Sequence, residues 1–214
     1  MQTPESYITK TESAVRKLFE GIESYVRLLE PTRGTMFVTS QSDRMKRRAE
    51  LDTWREQNQT AVMASEEAWR KFSEESFAMA VLCGAVLQIA AKAIEIYSTN
   101  ADVPVSVEDI IENNIKLSKF CIGREVYSVP IGLIIYAGRN QHAHFNEPEL
   151  YSVNEKVFER LRLHLGAEAH KYFMFDRANP LANSWARDIT YILGWRSYEA
   201  YVADLRDLLK DYSA

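Results

Sequence analysis

The chain has 214 residues, 46% of them hydrophobic, with a formal net charge of −4 and a pI near 5.7. That is enough apolar mass for one sizeable core, so a single domain over 1–214 is expected. The acidic balance excludes a protein coated throughout with cations for nucleic acid, so any contact with phosphates has to be concentrated in one basic site.

Cys83 and Cys121 lie in apolar surroundings at no metal or redox spacing, which predicts inert core thiols in a reducing compartment. The segment Met1 to Lys10 is polar, and the longest uninterrupted apolar run, Phe77 to Leu87, is too short to cross a bilayer. A cytoplasmic protein with no membrane partner is expected.

Taken in chain order, Ile8, Val15, Leu18, Phe19, Ile22, Tyr25, Val26 and Leu29 follow helical spacing, which predicts a first amphipathic helix stopping at Glu30-Pro31. From Asp43 to Gln59 the chain is charged, with few apolar anchors. Within it, Arg44, Lys46, Arg47 and Arg48 form the densest basic cluster. It reads either as a solvated helix face, since Asp43, Glu50 and Asp52 flank it, or as a track for an RNA backbone. Ser65 to about Tyr97 is helical in composition and almost wholly apolar in its second half, which predicts the central, most buried helix. Trp54 and Trp69 read as packing residues.

Helix starts are predicted at Ser106, followed by Glu108 and Asp109, at Ser128 with Pro130 in the first turn, and at Ser152 with Glu155 at capping-box spacing. Gly166 and Gly194 are natural stops, and the apolar stripe after Ser197 predicts a closing amphipathic helix. No run shows sustained period-two alternation, although Tyr172 to Phe175 can form a short extended piece packed in the core or at a dimer contact. His164 and His170, with no carboxylate or cysteine at ligand spacing, read as surface histidines. The expected architecture is all-α: a bundle of seven or eight helices around Phe77 to Tyr97 and Ile131 to Ala137.

The segment Gly138-Arg139-Asn140-Gln141-His142-Ala143-His144-Phe145 carries the chemistry. A cation, an amide and an imidazole arrive together at the polar end of the apolar run Ile131 to Ala137. Pro148 predicts that this helix ends near Phe145 or Asn146, with His144 in its last turn, where open carbonyls favour a cation. On an ideal helix Asn140 and His144 share a face, and His142 projects nearer to Arg139 than His144 does, so spacing alone leaves either histidine as the working one. The two histidines point too far apart to chelate one metal, and no metal or cofactor is expected. About one Arg–His pair at this spacing arises by chance in a chain of this length, so the weight comes from Asn140, Gly138 and the apolar helix before them.

Arg139-Asn140-Gln141-His142-Ala143-His144, with Pro130 to Gly138 before it, resembles the motif of the HEPN superfamily. These are α-helical proteins whose ribonuclease members carry an arginine, usually a polar neighbour, and a histidine after four to six intervening positions. The resemblance implies a homodimer in which two motif helices meet in one cleft and cut RNA without a metal, the 2′-hydroxyl attacking the adjacent phosphorus. It assigns Arg139 to charge stabilisation, His144 to proton movement and Asn140 to orientation, with His142 as an accessory. It further implies a toxin or effector of a prokaryotic defence or toxin-antitoxin system, held by an antitoxin or regulatory protein. Some family toxins carry a tyrosine two residues after the histidine for modification by a partner, but Asn146 stands there.

Two other readings remain. A non-catalytic helical module would bind a protein partner or nucleotide without cutting. A purely structural bundle would pair Arg139 and His144 with acids of their own protomer.

Overall fold

The computed structural model describes residues 3–30, 36–112, 114–147, 150, 152–166, 172–173 and 183–210. Among these the protein is all-α, with eight α-helices and a single two-stranded antiparallel ladder. The helices are α1 (Pro4–Arg27), α2 (Arg44–Gln57), α3 (Gln59–Tyr97), α4 (Glu108–Ile111), α5 (Ile131–Ala143), α6 (Ser152–Leu165), α7 (Ala186–Ile192) and α8 (Tyr198–Leu209). Contacts divide the chain into two units, Met1–Gly21 with Phe77–Ala214, and Ile22–Ser76, with the boundaries falling inside α1 and α3.

The larger unit holds the core. Along α3, Cys83, Val86, Leu87, Ala90, Ala91 and Ile94 recur every three to four residues and are fully buried. On α5 the apolar run is buried nearly all round, from Ile131 through Gly138 with the exception of half-buried Tyr136. It packs against α6 and α7, whose Phe158, Leu161, Ala186 and Ile189 have no accessible surface. Among the described residues α3 alone is long and apolar enough to cross a membrane. Its most apolar window has a mean hydropathy of 2.0, and 56% of that window is buried within the protein. Counting only uninterrupted residues misses this window, because Gln88 and Lys92 break the run while its mean hydropathy stays high.

Three expected helix starts resolve differently. Ser106 caps nothing; its hydroxyl donates to Glu125 at 2.9 Å, and α4 is a single turn entered through a 3₁₀ turn at Val105–Val107. Ser128 belongs to a hairpin turn. Tyr127 (φ 53°) and Ser128 (φ 60°) both take the left-handed conformation that a two-residue turn requires, pairing Val126 with Val129 and Glu125 with Pro130. Pro130 then precedes α5, and strands of two residues are too short to show alternation in the sequence. Ser152 is the first residue of α6, but its neighbour Tyr151 lies outside the described residues, as do His170, Met174, Phe175 and Pro148. Phe173 of the aromatic run is a core residue, 2% exposed between Phe158 and Trp185.

In the smaller unit, α2 forms where the sequence offers no apolar stripe. Asp43 caps it, its carboxylate accepting the amides of Met45 at 2.8 Å and Lys46 at 3.1 Å. No residue of α2 is buried, and Trp54 stands half-buried against Phe37. Trp69 on α3 is 54% exposed, so its expected packing role is slight.

At Gly132, in the first turn of α5, an added Cβ would overlap the Phe120 carbonyl oxygen. Replacing a helical glycine with alanine ordinarily stabilises by up to about 1 kcal/mol. Gly132→Ala should instead lose about 1–3 kcal/mol, because a backbone atom cannot step aside. Thermal unfolding followed by circular dichroism checks the sign: a raised Tm would show that the two segments are not in contact.

Candidate active site at the end of helix α5

Each polar residue at the end of α5 takes a different neighbour. Arg139 turns toward α3, where its Nη2 donates to Glu95 at 3.0 Å with both side chains largely buried, 21% and 29% exposed. The other Glu95 oxygen accepts Lys92 at 3.1 Å, and Lys119 donates to the Glu95 carbonyl at 2.9 Å. The guanidinium lies 5.7 Å from the Tyr136 ring, and its Nε is buried with no hydrogen-bond partner. Glu95 is the one acid in the apolar half of α3, from Phe77 to Tyr97. That isolation was the only signal of it in the sequence.

Gln141, which the sequence reading gave no role, is the most buried of the group at 3% exposed. Its amide nitrogen donates to the Asn183 carbonyl at 2.5 Å, and its oxygen accepts the Trp185 amide at 2.8 Å. Both ends of one side chain thereby tie α5 to the segment that leads into α7. Such a buried amide is stable only when both halves are bonded.

His142 is half-buried. Its Nδ1 and the Ser184 hydroxyl share a hydrogen bond of 2.7 Å, and its ring covers Gly84 of α3 so closely that a Cβ there would overlap it. Phe145 stacks beside the ring and in turn meets Phe77. Burial pushes the His142 imidazole below its usual range, so the native state favours the neutral ring.

His144 does not sit in the last turn. It is the C-cap, with φ −122° and ψ 30°, and its amide donates to the carbonyls of Asn140 at 3.1 Å and Gln141 at 3.2 Å. Leaving the helical conformation frees its side chain from the regular spacing on which a shared face with Asn140 depends. The ring is exposed, and its Nδ1 lies 2.7 Å from the Glu147 carboxylate. Asn140 is half-buried, and its side chain makes no hydrogen bond to a described residue.

Arg139 and His144 thus pair with different acids of their own chain, while Gln141 and His142 are committed to packing. Of the basic cluster on α2, Arg44, Lys46, Arg47 and Arg48 are all exposed. His164 is exposed and bonds the Arg160 carbonyl at 3.0 Å. Cys83 and Cys121 are buried and free, their thiols pushed up to about 11 by burial, too high for a thiolate at neutral pH. Among the described residues no three His, Cys, Asp or Glu side chains gather closely enough to share a metal. No protein-family model, curated protein or solved structure matches the chain.

With its folded pKa below the ordinary value near 6.5, His142 binds fewer protons in the native than in the unfolded state between those two values. Its contribution to stability is complete above about pH 6.5 and declines as the pH falls. His142→Asn keeps a polar group beside Ser184 but does not titrate. The Tm advantage of wild type over this variant should shrink as the pH is lowered from about 7.5 to about 5. A constant difference across that range would mean the imidazole titrates as it does in water.

Proposed function

We propose that the protein is a HEPN-type, metal-independent endoribonuclease, acting as a homodimer through the α5 end. The supporting observation is the placement of Arg139, Asn140 and His144 where a buried helix of an all-α chain meets solvent, Arg139 held by Glu95 and His144 exposed beside Glu147. In the reaction the RNA 2′-oxygen forms a bond to the adjacent phosphorus while the bond from phosphorus to the 5′-oxygen breaks. The 2′-hydroxyl proton passes to a base and a proton reaches the departing 5′-oxygen. The products are a 2′,3′-cyclic phosphate and a 5′-hydroxyl.

Arg139 suits the charge that builds on the non-bridging oxygens. Glu95 occupies one Nη hydrogen, and a guanidinium has further donors for a phosphate. His144 suits proton transfer, with Glu147 on Nδ1 orienting the ring. Asn140 orients the phosphate or the imidazole. The setting we infer is the cytoplasm of a prokaryotic cell, where such an activity serves as a defence effector or toxin and is held by an antitoxin or regulatory protein.

A second reading has an observation of its own. Arg139 and His144 each pair with an acid of the same chain, the arrangement expected of a purely structural bundle and one that a non-catalytic binding module would share.

Cleavage of a 5′-labelled single-stranded RNA in the presence of chelator separates the two. Wild type should give products ending in 2′,3′-cyclic phosphate. His144→Ala should lose about 10²–10⁴ in rate and Arg139→Ala about 10²–10³, both keeping the wild-type circular dichroism spectrum. His142→Asn should go on cutting; loss there with retention in His144→Ala would move the proton-carrier role to His142. Equal products from wild type, Arg139→Ala and His144→Ala, or none from any preparation, would leave the binding module as the reading.

A further inference from the structure

Among the described residues eight arginines pair with a carboxylate, Arg47 and Arg162 donate to backbone carbonyls, and Arg196 lies over the Tyr191 ring. Arg44, Arg48 and Arg55 do none of these, and all three are exposed on α2. At about 100° per residue they fall within an arc of about 40°, and at about 1.5 Å per residue they extend over about 16 Å of helix. They form one straight stripe of guanidinium groups.

Two of the three acids that flank the cluster, Asp43 and Glu50, are engaged elsewhere. Asp43 is used as the N-cap, and Glu50, on the far side of the helix, accepts the Thr39 hydroxyl at 2.6 Å. Asp52 stands one turn beyond Arg48 and yet forms no ion pair with it. Helix stability does not explain the arrangement either. Arg44 and Arg48 repel one turn apart, and the first turn of α2 holds no acid, the reverse of what the helix dipole favours. Lys46 projects from the opposite face and Arg47 is bonded to the Ser42 carbonyl, so the working set differs from the run of adjacent cations in the sequence.

We propose that Arg44, Arg48 and Arg55 form a binding stripe for the phosphate backbone of single-stranded RNA, a proposal that rests on the ribonuclease reading for its choice of polyanion. Guanidinium groups fit phosphate oxygens in pairs, and a row of them along one helix follows a chain of regularly spaced phosphates without reading bases. A membrane surface is disfavoured, since α2 has no apolar face to insert and buries no residue.

The test uses the full chain and a fluorescent single-stranded RNA whose 2′-oxygens are methylated, so that it binds without being cut. Anisotropy titrations at several salt concentrations give the affinity and its salt slope. The triple variant Arg44→Gln, Arg48→Gln, Arg55→Gln should bind about tenfold or more weaker at low salt. Its log–log slope should be shallower by about 2, the value for three lost contacts to a single strand. Replacing the same three residues with lysine should keep the slope. An unchanged slope in the glutamine variant overturns the stripe, and if wild type still cuts unmodified RNA, the nuclease reading survives that loss. Stripe-dependent binding with no cutting by any preparation keeps the stripe and removes the nuclease. Tighter stripe-dependent binding to poly-glutamate than to RNA overturns the choice of RNA.

Discussion

Burying α5 on almost every side requires its neighbours to approach where side chains would otherwise stand, and glycines make that approach possible. Gly132 admits the Phe120 carbonyl, Gly138 admits Ile189 and Leu87, and Gly84 on α3 leaves the recess that the His142 ring fills. Close packing of this kind fixes a helix in rotation as well as position, since turning it by one residue would drive a β-carbon into backbone. The orientation of Arg139, Gln141 and His142 is therefore set by contacts at Gly132, two turns earlier, at the adjoining Gly138, and at the His142 ring itself. Gly138 illustrates the point: its missing side chain permits a close approach to the backbone, and it is Ile189 that makes that approach.

With the helix fixed, its polar residues divide by depth. Gln141 is sealed inside, and its worth lies in satisfying two backbone groups that would otherwise be buried without partners. His142 is at intermediate depth, where losing its proton is cheaper than carrying charge into an apolar recess. Arg139 lies near the boundary, where Glu95, itself bonded to Lys92, serves as its counter-ion. His144, beyond the last helical residue, is the only one of the four that is exposed.

The helices with apolar stripes were legible from residue types alone: α1, the second half of α3, α5 and α8 all occupy the expected stretches. Their ends were less so, because serine, proline and acidic residues mark turns as well as caps. Ser128 went to a hairpin whose strands are only two residues long, and Ser106 to a side-chain bond with Glu125. Helix α2 could not be found by hydrophobic periodicity because it buries nothing, and only its Asp43 cap announced it. At the site, Arg139 and His144 stood out as a pair, whereas Glu95 is brought to Arg139 by tertiary packing from 44 residues away, which no local pattern encodes. Gln141 carries no signal of its own in the sequence, since an amide reveals its importance only once its burial is known.

The two ion pairs at the end of α5 also differ in how readily they yield to an incoming anion. Arg139, Lys92 and Glu95 together carry one net positive charge, so the cluster still attracts a phosphate after its internal pairing is counted. Its geometry is held by burial, and moving Glu95 away would leave Arg139 without its carboxylate where water is scarce. The His144–Glu147 pair is exposed on both sides and, like most surface pairs, contributes at most about 1 kcal/mol, so it can part or turn when a substrate arrives. In the proposed reaction this gives a fixed cation to locate the phosphate and an adjustable imidazole to follow the proton, an order that reversing their depths would destroy.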